Sequence, residues 1–169
     1  EPAPALDFES LFALKGDDRP PPVEPAPAEE PAPIELQEES DIVVGSVAVP
    51  AMLFNIYVRE AEQHAAALDR EMSALEADPM RPVTPDFMRA AHTLCSTSRT
   101  TGFESVANVS SALEKWLALA MEIPPQFDAH RLATTRRSVD ALLAMVQSIR
   151  GMAEPYPRDD VVADLVALR

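Results

Sequence analysis

From residue 50 onward, apolar side chains return every three or four positions, broken by prolines and glycines, and this rhythm predicts four amphipathic helices. The first runs from about Pro50 to Ala77, with Leu53, Ile56, Tyr57, His64, Leu68 and Leu75 on one broad face; Pro79 and Pro82 end it. The second opens at "TPDF", where Thr84 is the expected N-cap, Pro85 the first helical residue and Asp86 a favourable charge for the dipole. Phe87, Ala90, Ala91, Leu94 and Ser98 form its inward arc, and Gly102 supplies the left-handed residue that closes it. The third starts at Phe103, turns Val106, Val109, Leu113, Trp116, Leu117 and Ala120 to one side, and stops at "IPP", residues 123–125. Asp128 caps the fourth, whose Leu132, Val139, Leu142, Leu143, Val146 and Ile149 point inward, and Gly151 closes it. Short connections between long helices favour antiparallel neighbours, so the expected fold is all-α, an up-down antiparallel four-helix bundle.

Both flanks lack this pattern. The run "IVVGSVAV" before Pro50 is expected to be an extended lead-in rather than a strand, because Gly45 and Pro50 interrupt it. Residues 17–41 combine proline with like charge and read as an acidic, disordered linker, which cannot bury enough apolar surface to offset its ordering entropy. Before it, "LDFESLFALKG" within residues 1–16 is either a short docking segment or the end of a preceding region. At the other end, "RDDVVADLVALR" is either a short fifth helix or a lead towards another domain, so 42–152 is the expected bundle and 153–169 an extension or linker. The chain opens on Glu1 rather than methionine, and the expectation is a piece of a longer protein.

Charge is unevenly divided along the 169 residues: 1–41 carry twelve acidic and two basic side chains, whereas 42–169 carry sixteen and twelve. Net acidity argues against nucleic-acid binding, which needs a concentrated basic face. No apolar run approaches the roughly 20 residues that span a bilayer, so membrane insertion is not expected. The single cysteine, Cys95, rules out an internal disulfide and suits the cytoplasm. The three histidines are too dispersed for a metal site, and neither a glycine-rich phosphate loop nor a paired acid is present. His64 is expected as a core or boundary residue, and His130 carries no assigned chemistry.

The stretch "RAAHTLCSTSRTTGF", residues 89–103, holds the candidate chemistry. His92 lies about 120–140° from the centre of the inward arc, so it should project from the bundle. Met88, Arg89, Cys95 and Ser96 lie one turn away, and Arg99 two turns on. A neutral imidazole, with a reference pKa of about 6.5, is a competent nucleophile near neutral pH. Small neighbours let another protein approach, and a nearby cation favours a transferred phosphoryl group. The plainer alternative is a solvated polar residue. The hydroxyls Thr93, Ser96, Thr97, Ser98, Thr100 and Thr101 are expected as ordinary polar helix positions, and Cys95 as a small packing residue.

"AHTLCSTSRTTGF" resembles the signature of histidine-containing phosphotransfer (HPt) domains, approximately A-H-x-L-K-G-S-(x)4-G, through Ala91, His92, Leu94, Thr97 and Gly102. "LEKWL", residues 113–117, is similar to the third-helix continuation of that family. Residues 49–72 resemble the entry and first helix of HPt domains in large CheA-like kinases of pilus-associated chemosensory systems. The resemblance implies a four-helix bundle with His92 as phosphoacceptor, supported by Arg89, Cys95, Ser96 and Arg99, and with Leu94 and Gly102 as structural motif positions. It also implies a parent with a dimerising, ATP-binding kinase core and a response-regulator receiver as partner. ATP and Mg²⁺ are expected only in partner domains, and this chain is expected to be a carrier rather than an enzyme. Two positions depart from the pattern: Cys95 stands where it has lysine, and Ser96 where it has glycine. Loss of the lysine lowers the transfer rate or alters partner choice unless Arg89 or Arg99 compensates. The rival reading is a divergent helical module that docks a receiver or scaffold protein without carrying phosphate.

Overall fold

The computed structural model describes residues 40–169; the expectations for 1–16 and for nearly all of the acidic linker lie outside the described residues. A β-hairpin comes first, β1 (Asp41–Val44) paired antiparallel with β2 (Val47–Pro50). Five helices follow: α1 (Ala51–Ala77), α2 (Pro85–Thr101), α3 (Glu104–Glu122), α4 (Ala129–Arg150) and α5 (Asp159–Ala167). Helices α1 to α4 run up and down as an antiparallel bundle, in which α2 packs between α1 and α3 while α4 returns to α1. The short α5 packs Val161 and Leu165 onto α3 and α4.

The hairpin corrects the expected extended lead-in. Gly45 adopts φ +59°, a conformation open to glycine without steric penalty, and this allows the chain to turn at Gly45–Ser46. Alternation then puts Ile42, Val44, Val47 and Val49 on one face, and Val44 and Val49 are buried against the bundle. Gly45 is therefore the turn that makes pairing possible rather than an interruption.

Two N-caps form as the sequence indicated. Thr84 Oγ1 accepts from the Phe87 N–H at 3.1 Å and donates to Glu71 Oε2 at 2.7 Å, which ties the start of α2 to α1. Asp128 accepts from the Arg131 N–H at 2.8 Å. Gly102 closes α2 with φ +101°, and its N–H and that of Phe103 both reach the Ser98 carbonyl. Gly151 closes α4, as expected. Gly151 has φ −79°, and the left-handed residue is Met152 at φ +64°.

The inward faces shift by part of a turn from those expected. On α1 the buried residues are Phe54, Tyr57, Ala61, Ala65, Leu68, Met72 and Leu75, a three-four alternation. Leu53 and Ile56 stand 45% and 39% exposed, and His64 is partly buried. On α4, Leu132 and Leu143 lie at the margin of the core, and Thr135, Ser138 and Met145 are buried instead. Thr135 is tolerated inside because its hydroxyl accepts from Trp116 Nε1 at 3.0 Å and donates to the Arg131 carbonyl at 2.8 Å. Buried hydroxyls with backbone partners are invisible to a pattern read only in apolar residues.

Polar ties fix the helices to one another. Arg136 of α4 reaches Asp69 at 2.6 Å, Glu76 at 2.7 Å and Ser73 at 3.0 Å, all on α1. Tyr57 Oη bonds Ser98 Oγ at 2.9 Å while its ring stacks on Phe103 at 4.9 Å, joining α1, α2 and the entry to α3. Burial pushes the Tyr57 hydroxyl up to about 12, so it stays protonated at any physiological pH. Arg137 of α4 holds both Asp160 and Asp164 of α5.

Two outcomes follow from these features. Met152→Gly removes the Cβ from a left-handed backbone position and is expected to stabilise the fold by about 0.5–1 kcal/mol, read as a higher denaturant midpoint with unchanged slope. The Asp160 carboxyl is held down at about 2 by hydrogen bonds from Arg158, with Arg137 adding its charge. A depressed carboxyl contributes stability above its unfolded value of 3.8 and loses it as pH falls towards 2. Amide exchange or chemical shifts of Val161 and Leu165 should therefore report loosening of α5 between those two values, and Asp160→Asn should loosen it already at neutral pH.

Candidate functional site

The local sequence explains why His92 faces out. Ala91, Leu94, Cys95 and Ser98 are buried on α2, and His92 lies on the opposite side of the same turns with its side chain 61% exposed. The antiparallel packing of α2 on α3 brings Glu114 beside it, and His92 Nδ1 lies 2.9 Å from Glu114 Oε1. An ionised carboxylate only accepts, so Nδ1 carries the proton and donates. The Nε2 lone pair is then free and directed to solvent. The bond also restrains the ring's rotation.

The remaining sequence-predicted residues distribute around this pair. Cys95 is 5% exposed, so its side chain is a buried packing group. Ser96 is exposed one turn after His92, and its hydroxyl donates to the Thr93 carbonyl at 3.0 Å. Arg89 is exposed and lies 3.0 Å from Asp86, one turn nearer the helix start. Arg99 is exposed in the last turn of α2, with no carboxylate partner among the described residues. Leu94 is fully buried and Gly102 forms the cap already described.

On the α1 side of His92 lies a shallow groove lined by Leu53, Ile56, Tyr57 and Glu60 from α1 and by Ser96, Thr97, Thr100 and Thr101 from α2. Those four hydroxyls donate to carbonyls three or four residues back along α2, at 2.7–3.0 Å. With their donors satisfied internally, the threonines present methyl groups, and the groove is apolar despite its hydroxylated sequence. Leu53 and Ile56 thus line this surface rather than the core.

Glu114 was missed from sequence. It lies within "LEKWL", but nothing local distinguishes it from other surface glutamates. One signal was available: on the α3 wheel it falls about 100° from the apolar centre, at the shoulder where a polar side chain meets a neighbouring helix. Among the described residues, no three His, Cys, Asp or Glu side chains gather as metal ligands, and no helix is long and apolar enough to cross a membrane.

Comparison with known proteins bears on the family and the fold. The chain belongs to the Hpt domain family, whose pattern it matches over residues 52–152. It is 28% identical over 125 residues to the chemotaxis protein CheA of Listeria monocytogenes and to that of Listeria innocua, a match that takes in 69% of this chain. It spans only 19% of the length of either relative. Among solved structures, the phosphorylated P1 domain of CheA3 in complex with CheY6, from R. sphaeroides, shares the fold at a TM-score of 0.59 and 20% identity, covering 69% of this chain and 94% of that one. The hairpin precedes the family match.

The His92–Glu114 bond makes a direct expectation for the ring. Imidazole ¹⁵N shifts should report a dominant Nδ1–H tautomer in the native chain. In Glu114→Ala they should revert to the tautomer mixture of an exposed histidine, with the helical fold unchanged.

Proposed function

We propose that the domain carries a phosphoryl group on His92 between an ATP-dependent kinase core and the aspartates of response-regulator receivers. The observation that carries this reading is the Nδ1–H bond to Glu114, which leaves an exposed Nε2 as the nucleophile. In the forward step, Nε2 forms a bond to phosphorus while the bond from phosphorus to the departing oxygen of ADP breaks. No proton has to leave Nε2, because in this tautomer the proton is on Nδ1. The ring gains positive charge as the bond forms, and the Glu114 carboxylate stabilises it. Transfer to a receiver reverses the roles, with the imidazole as leaving group and a carboxylate oxygen as acceptor. ATP and Mg²⁺ belong to the partner domains.

Membership of the Hpt family supports the reading, as do relatives that are chemotaxis proteins and a fold neighbour whose phosphorylated form is in complex with CheY6. The apolar groove beside His92 offers a receiver a surface to bury on docking. Within this proposal the parent is a chemosensory histidine kinase acting in the cytoplasm. The pilus-associated subtype rests on the resemblance of residues 49–72 alone. A second reading, a docking module without phosphate, is favoured by Cys95 and Ser96, which replace the lysine and glycine of the usual pattern.

Intact-mass measurement after incubation with a kinase core and ATP, or with a phosphorylated receiver, tests the proposal. One acid-labile, alkali-stable phosphoryl group is expected on the native chain and none on His92→Gln. If neither chain takes up phosphate while the receiver still binds both, the domain is a docking module.

A further inference from the structure

Helix α1 carries five carboxylates, and an arginine engages four of them: Arg150 holds Glu62, Arg136 holds Asp69 and Glu76, and Arg81 holds Glu71. Glu60 is the fifth. It forms no ion pair or hydrogen bond among the described residues, and it is the charged member of the groove beside His92. The hydroxyls of Ser96 and Thr97, which line the same groove from α2, both donate to the Thr93 carbonyl, at 3.0 and 2.9 Å. The carboxylate of this partly buried residue is therefore left to solvent.

Its place along the helix bears on transfer. Helices α1 and α2 are antiparallel and Tyr57 Oη meets Ser98 Oγ at 2.9 Å, so each step forward along α1 is a step back along α2 towards His92. Of the four α1 residues in the groove, Glu60 is thus nearest the acceptor in axial level. Leu53 and Ile56, 45% and 39% exposed, make up its apolar rim. Glu114 is engaged by the His92 ring, which leaves Glu60 as the open carboxylate of the groove.

A partner that covers this groove takes Glu60 out of water with no group of the domain to compensate it. Burying an unpaired carboxylate is costly, whereas a cation supplied across the interface offsets that cost and fixes the register of docking. Resting on the reading of the domain as a phosphoryl carrier, we propose that Glu60 selects the receiver. The surface that docks in the groove presents apolar side chains around one lysine or arginine, and that cation pairs with Glu60. A receiver with an acidic or neutral side chain at that place is rejected, through repulsion or a stranded carboxylate.

Phosphotransfer to purified receivers tests this. The native chain, Glu60→Gln, Glu60→Lys and Glu122→Lys are first phosphorylated with phosphoramidate. Nε2 of His92 bonds to phosphorus, the P–N bond breaks and ammonia leaves with the electron pair; His92→Gln stays unlabelled. Glu122→Lys makes the same change of charge as Glu60→Lys, but at the exposed end of α3. Each phosphorylated chain is mixed with a panel of single-domain receivers and Mg²⁺ at low and high salt, and transfer is followed by intact mass. For receivers that accept from the native chain, Glu60→Gln is expected to lower transfer kcat/KM about three- to tenfold and Glu60→Lys about thirtyfold, with Glu122→Lys near native. High salt should narrow the gap between the native chain and Glu60→Gln. Reversing one lysine or arginine of an accepting receiver to glutamate should reproduce the loss, and Glu60→Lys should recover transfer to that receiver variant. Transfer from Glu60→Gln at or above the native rate overturns the proposal, because the groove then meets a neutral surface or none. A loss that Glu122→Lys shares overturns it as an effect of net charge, and losses that no charge reversal on the receiver recovers overturn the pairing. All three leave the carrier reading standing. A native chain that takes no phosphate from phosphoramidate, or passes none to any receiver of the panel, removes the carrier reading and this inference together.

Discussion

The seam between α2 and α3 determines where His92 points, because Ala91, Leu94 and Cys95 on one helix and Val106, Ala107 and Leu113 on the other are all buried. Rotating α2 to bring His92 inward would expose these residues, at about 1–3 kcal/mol for each large apolar side chain lost from the core. The same packing sets the register at which Glu114 meets the imidazole. One apolar constraint therefore supplies exposure, ring orientation and tautomer together. The hydrogen bond itself is half-exposed, and its strength alone would not hold the ring without the rigid helices behind it.

Rigidity of those helices comes from ties that are chemically varied. Arg136 fastens α1 to α4 through three partners, and the Trp116–Thr135 bond joins α3 to α4 inside the core. Tyr57 closes the α1–α2 side through Ser98 and the stacked Phe103. The hairpin packs Val44 and Val49 onto the bundle, and Val47 lies against Gly102, where an added Cβ would come within 3.3 Å of it. The α2–α3 turn is thus braced from outside as well as capped from within.

Around this frame the chain departs from its family's usual pattern in a physically coherent way. With cysteine at position 95 the α2–α3 seam gains a small buried side chain and loses a flexible cation. Ser96 keeps the approach to His92 open, since its hydroxyl is satisfied by the Thr93 carbonyl. The threonines beyond it turn a polar-looking sequence into an apolar groove by the same device. What remains exposed beside the imidazole is one carboxylate that orients it and a shallow apolar groove.

Helix existence, capping by Thr84 and Asp128, the Gly102 terminus and the outward direction of His92 were all legible along the chain, because each depends on periodicity or on a residue's own backbone and hydrogen-bonding chemistry. The sequence reading failed where a neighbour in space decided the matter. Leu53 and Ile56 looked like core residues because helical periodicity gives the angle of a stripe but not which helix covers it. The hairpin went unread because a short strand is stable only against a partner and a surface, and neither appears in the run "IVVGSVAV". Glu114 lies 22 residues from His92, and only the antiparallel packing of two helices could bring a glutamate otherwise like its neighbours to within 2.9 Å of the imidazole.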